Sequence, residues 1–168
     1  MSLSMYQASV PAFQHTLKAL DAILDKAAAN AAERKIDPDV LTAARLAPDM
    51  FPLARQVQLA SDHAKGCPAR LAGVPVPSFA DTEKTIPELK ARIHKTLEFI
   101  GTVTPDQIDG SEGRDISLKA GPRELNFKGQ DYLVLFALPN FYFHAATAYD
   151  ILRHNGVPVG KLDFMGAA

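Results

Sequence analysis

Tryptophan is absent and cysteine occurs once, at Cys67. A single thiol excludes an intrachain disulfide and any metal site built from several cysteines. An excess of one charge sign is missing too: 18 Lys and Arg stand against 19 Asp and Glu, a formal net charge of −1. That balance presents no basic stripe to a polyanion, so neither nucleic acid nor an acidic membrane surface is an expected partner. Long apolar runs are lacking as well. The longest, Tyr132 to Phe143, is interrupted by Pro139 and Asn140 and is too short to cross a bilayer. The opening Met1-Ser-Leu-Ser-Met-Tyr-Gln has no basic segment leading into an apolar one, so no secretory signal is read there. With the free cysteine, this makes the cytoplasm the expected location.

What is present fits one domain spanning residues 1–168. Hydrophobic residues make up 47% and charged residues 22%, the balance of an ordinary globular chain with one core. Helical periodicity dominates. Phe13, Leu17, Leu20, Leu24 and Ala27 predict a first helix over about residues 4–30, with Pro11 either kinking it or opening a second piece. Asp37 caps a short helix begun by Pro38. A second long helix is expected from about Pro48, disturbed at Gly66, Cys67 and Pro68 and ended by Gly73, Pro75 and Pro77. Thr85 and Glu88 form a capping box ahead of the Ile86, Leu89, Ile93, Leu97, Ile100 stripe of a third helix. Ile116 and Leu118, then Leu125 and Phe127, alternate with polar residues across Gly121-Pro122, which predicts a hairpin that must lie against helices. The last helix, about residues 130–155, is apolar around the whole wheel in its first half, which places it centrally. Leu162, Phe164 and Met165 make the tail apolar enough to dock on the body or a second subunit. The expected fold is all-α: a four-helix bundle with a small β-hairpin between the third and fourth long helices.

Chemistry is confined to few side chains. His15 and His94 fall off their helices' apolar stripes and read as solvated surface, while His154 meets the negative end of the last helix. His63 and His144 differ: His63 is mid-helix among small neighbours, His144 lies in the densest apolar stretch of the chain, and Asn140 shares a helical face with His144. Inward imidazole and carboxamide groups must find partners, since unsatisfied polar burial costs roughly 1–3 kcal/mol per group. Each other, Asp62, Tyr149, ordered water or a metal ion would serve. The residue pattern leaves open a satisfied polar cluster and a metal site.

Four helices, an inward histidine on the second and a polar residue four before a histidine on the fourth make one part of a resemblance. The string His144-Ala-Ala-Thr-Ala-Tyr149-Asp-Ile-Leu-Arg153-His-Asn-Gly-Val157-Pro, followed by Gly160-Lys, makes the specific part. Together they resemble the DinB/YfiT-like superfamily of helical bundles, in an uncharacterised bacterial branch, over nearly the whole chain. The resemblance implies a divalent cation, zinc or nickel, held by one histidine of the second helix and a His-x-x-x-His pair of the fourth. Carried over, those positions are His63, Asn140 and His144, so the earlier member of the pair departs from the pattern. It also implies a metal-assisted hydrolase or a transferase of low-molecular-weight thiols, with Asp62 as an outer acceptor and Tyr142 and Tyr149 as substrate donors. Two other readings stand beside it. One is a metal-free pocket for a small molecule lined by Phe141, Tyr142, His63 and His144. The other is a scaffold in which the polar cluster serves packing. A homodimer through the fourth helix and tail is compatible with all three.

Overall fold

The computed structural model describes residues 3–167, apart from the Ala120 side chain. Helix α1 (Met5–Glu33) opens on a capping box in which Ser4 Oγ accepts from Gln7 N at 3.2 Å and the Gln7 side chain accepts from Ser4 N. It runs unbroken through Pro11, so packing of Val10, Phe13, Leu17 and Leu20 outweighs the one lost backbone bond. The short α2 (Pro38–Ala43) follows its Asp37 cap.

Helix α3 spans Leu53–Ala72, starting later than Pro48 and continuing past Pro68. The late start has a steric cause: Pro52 disfavours helical backbone at Phe51, so the helix begins only after it. The continuation reflects burial of Gly66, Cys67 and Pro68 between neighbouring helices, which holds the helix together until Gly73 turns left-handed at φ +71°. Helix α4 (Ile86–Gly101) begins at the Thr85/Glu88 capping box and buries Ile86, Leu89, Ile93 and Ile100.

After the single turn α5 (Pro105–Ile108), strands β1 (Asp115–Ala120) and β2 (Arg123–Lys128) pair antiparallel, Ile116 opposite Phe127 and Leu118 opposite Leu125. Their two-residue turn is Gly121-Pro122, with Gly121 at φ +60° as hairpin twist requires. The hairpin docks on the helices through Phe127, whose ring centre is 5.3 Å from that of Phe136 and 6.0 Å from that of Tyr132.

The last long helix is composite: α6 (Gly129–Asp131), a π-helical stretch (Tyr132–Ala137) and α7 (Leu138–His154). Pro139 cannot donate to the carbonyl four residues back and its ring crowds that carbonyl. The chain answers upstream with wider winding, Leu138 N bonding Leu133 O, and Asn140 Nδ2 donates to Phe136 O at 2.7 Å. This helix is not central, contrary to its composition. Tyr132, Leu133 and Ala137 are buried, but Val134 and Leu135 are 50% and 68% exposed because no further element among the described residues covers that face. The tail docks on α1 in the turn α8 (Lys161–Phe164), where Lys26 pairs with Asp163 and His15 Nε2 bonds Met165 O.

A buried ionic hub fixes α3 against α4 and the loop between them. Arg92 reaches Asp62 at 2.8 Å, Asp81 at 3.0 Å and Glu83 at 3.0 Å, while Lys65 takes Asp62 at 2.5 Å. The Phe79 ring lies beneath Lys65, Arg92 and Lys95. No helix among the described residues is long and apolar enough to cross a membrane.

Candidate functional site

A cleft of about 550 Å³ opens between α3, the π-helical stretch with the start of α7, and the hairpin. Phe51, Leu59, Leu118 and Phe136 make its apolar walls, and His63, Asn140 and His144 line it together. The imidazoles of His63 and His144 come from separate helices and stack, ring centres 5.7 Å apart and planes 17° apart. Phe136 meets the His63 ring edge-on at 5.9 Å.

Both imidazoles are pushed towards the neutral form. Burial, then the charge of His144, brings His63 down to about 4, with Arg70 and Lys65 adding to the effect and Asp62 opposing it. Burial and then Arg55 lower His144. The His144 tautomer follows from Gln56, which is 1% exposed. Gln56 Nε2 donates to the Phe51 carbonyl, an obligate acceptor, which turns Oε1 towards His144 Nδ1 at 2.8 Å. The Nδ1 proton is thus committed, and the Nε2 lone pair is unspent. His63 makes no hydrogen bond among the described residues, and the Asn140 amide nitrogen is committed to Phe136 O.

The remaining candidates are placed as follows. Asp62 touches the cleft, but its Oδ1 belongs to Lys65 and Arg92. Phe141 does not line the cleft: it is fully buried and packs edge-on against Phe13 at 4.8 Å. Tyr142 is 40% exposed on the outer face of α7, and Tyr149 meets Phe164 edge-on beside the tail. These three aromatics are displaced from the cleft because helical spacing carries them to other faces of α7 than His144. Cys67 is buried, and burial pushes its thiol far above the usual range, which leaves it an inert core group.

Periodicity on α3 did carry further lining residues. Arg55, Leu59, His63 and Arg70 lie at spacings of three to four residues or their sums, so one face delivers all of them to the cleft. A helix expected to falter at Gly66 hides Arg70. Its guanidinium donates to the Tyr132 hydroxyl at 3.1 Å and lies 5.9 Å from that ring's centre. Lys119 adds a third cation at the hairpin rim.

Residues 5–165 match the family described as "Domain of unknown function (DUF1993)". The chain belongs to that family. The crystal structure of a DinB family member protein from Shewanella denitrificans is similar at 42% identity, covering 97% of this chain and 92% of that one, with a TM-score of 0.87. This DUF1993 protein is therefore DinB-like, with the helical bundle that the resemblance implied and the late hairpin that the alternation across Gly121-Pro122 predicted. No curated protein matches it.

The superfamily's cation suits these residues poorly. Among the described residues no three His, Cys, Asp or Glu side chains gather as metal ligands. The third position offers a carboxamide, a weaker ligand for zinc or nickel than imidazole. Arg55, Arg70 and Lys119 surround the same space against one carboxylate, which opposes a dication.

Proposed function

We propose that this DUF1993 protein binds a small organic molecule in the cleft, with His144 Nε2 as its principal hydrogen-bond acceptor. The observation that carries this reading is the Gln56–His144 pair. A buried glutamine holds one imidazole in a single tautomer and leaves its other nitrogen bare in an open, half-apolar space. Apolar walls with a few fixed polar groups are the usual make-up of a small-molecule site. His63 and the free Asn140 carbonyl oxygen supply further acceptors. The expected result is a thermal shift with donor-bearing aromatic molecules such as phenol that persists in chelator and is lost in His144→Phe. A shift identical in His144→Phe overturns the reading.

One observation favours a second reading, a zinc or nickel ion at His63, His144 and Asn140 serving a hydrolase or thiol transferase. Two imidazoles on one tetrahedral ion hold their ring centres about 5 Å apart, close to the 5.7 Å seen here. Near-stoichiometric metal in untagged protein, removed by His144→Ala with the helices intact, would establish it and displace the metal-free site. A cytoplasmic setting, which suits a free thiol, and a homodimer through the last long helix and the tail belong to either reading. Sedimentation tests the dimer at tens of micromolar, by order of magnitude.

A further inference from the structure

The cleft has a second end. Arg70 projects there from α3, and unlike the other arginine of the cleft it has no carboxylate. Arg55 is matched by Asp81 at 2.5 Å, and the one carboxylate lining the cleft, Asp62, is taken by Lys65 and Arg92. Arg70 has only the Tyr132 phenol, among the described residues. Burial, then the charge of Cys67, pushes that phenol up to about 12 against the opposing pull of Arg70, so it stays protonated near neutrality. Its oxygen accepts from Arg70 and its proton has no acceptor among the described residues. Lys119, on the rim, has no ion pair among the described residues either.

Helix α3 makes room for this arrangement. A Cβ at Gly66 would stand 2.5 Å from Arg70 Nη1, so the guanidinium lies back over the helix only because residue 66 lacks a side chain. Walls that are apolar between a neutral histidine pair and an unmatched guanidinium fit a molecule that is flat and apolar in its middle and anionic at one end.

We infer that Arg70, Tyr132 and Lys119 form an anion subsite, so that the cleft's ligand is a small apolar molecule bearing a carboxylate or a phosphate. The guanidinium fork and the phenol proton supply parallel donors to the anion's oxygens, and Lys119 adds charge at the mouth. This rests on the cleft being the ligand site, and it adds the ligand's charge class.

Three probes of similar shape test it: benzoate, phenyl phosphate and the neutral benzamide, titrated at millimolar concentrations. Binding is followed by the histidine side-chain NMR signals, which report occupancy of the cleft itself. The expected result is at least tenfold tighter binding of one anion than of benzamide, weakening with added salt. Whether benzoate or phenyl phosphate binds more tightly separates the carboxylate source from the phosphate source. Arg70→Gln should remove the preference, and Gly66→Ala, which displaces the guanidinium while keeping its charge, should cut it severalfold. Equal binding of benzoate and benzamide overturns the subsite and leaves the cleft reading standing. Binding of none of the three overturns the subsite, and absence of the phenol shift as well overturns both. A preference that survives Arg70→Gln in protein with unchanged helicity overturns the role of Arg70.

Discussion

Asp62 and His63 are neighbours on α3, yet they serve two unlike polar clusters. Asp62 and Lys65 face α4, where Arg92 collects three carboxylates over the Phe79 ring and the charges are matched. His63 and Arg70 face the last long helix, where two imidazoles share a wall and, among the described residues, one nitrogen of His144 is bare and a guanidinium has no carboxylate. Both clusters lie against the same helix and cost desolvation to build. The hub matches its charges within the fold, with Arg92 Nε alone of its nitrogens and oxygens buried without a partner among the described residues, whereas the cleft leaves donors and acceptors open to an outside molecule. A satisfied network holds a bundle together, while an unsatisfied one in an open space is what an outside molecule can complete.

The sharpest way to break the comparison is to remove the centre of the hub. Arg92→Met leaves Asp62, Asp81 and Glu83 facing one another with no common cation. Removing one partner of a buried ion pair costs about 3 kcal/mol or more, and these partly exposed carboxylates place this case at the low end. Urea unfolding should show that loss, and ligand binding to the folded fraction should be unchanged. A loss below about 1 kcal/mol would show the hub to be no more than a surface network.

Acid probes the other cluster. The folded-state pKa of His63 is lowered from 6.5 to about 4, so between those values the unfolded chain binds the extra proton. Stability should be full above pH 6.5, fall as the pH drops towards 4, and lose nothing more to this group below that. The ceiling is about 3 kcal/mol, at about 1.4 kcal/mol per pH unit. His63→Phe should reduce the slope in a series of urea titrations to the share that His144, lowered in the same direction, contributes, whereas Arg92→Met should leave it in place. An unchanged slope in His63→Phe would mean that His63 does not carry the acid sensitivity.

Sequence and structure agree where a pattern is local. The Thr85/Glu88 box, the Gly121-Pro122 hairpin and the α4 stripe are each written within a few residues, and each forms. Disagreement comes where distant packing decides. Gly66 and Pro68 look like a break but lie buried inside α3, and the apolar start of the last helix looks central but has one bare side. At the site the two histidines were legible because His144 stands out in an apolar stretch and His63 lies mid-helix among small neighbours. Gln56 and Arg70 were not: polar residues on an amphipathic helix look solvated until a second element comes to cover them. Phe141, Tyr142 and Tyr149 lie close to His144 in sequence, yet helical rotation sends each to a different neighbour.

Gln56→Leu refines the contrast at smaller amplitude. It strips partners from the Phe51 carbonyl and from the His144 Nδ1 proton, a loss of about 1–2 kcal/mol. The diagnostic readout is the tautomer. Nitrogen shifts of His144 should show one form in the native protein and a mixture in the variant. A single unchanged tautomer would mean that something other than Gln56 fixes the ring.

The smallest stability effect belongs to Gly66→Ala, where two contributions nearly cancel. Alanine in a helix interior is favoured over glycine by up to about 1 kcal/mol. Against that, the new methyl stands where Arg70 Nη1 now lies, so the guanidinium must swing away and give up the Tyr132 hydroxyl. That hydrogen bond contributes about 1 kcal/mol, and the end of a long side chain moves without strain in the backbone. The net change in unfolding free energy should lie within about 1 kcal/mol of zero, of either sign. Calorimetric unfolding of this variant beside Arg92→Met therefore separates the two faces of α3: the same helix tolerates disturbance towards α7 and not towards α4. A loss of several kcal/mol in Gly66→Ala would place Arg70 among the elements that hold the fold together, and the distinction between the two clusters would fail.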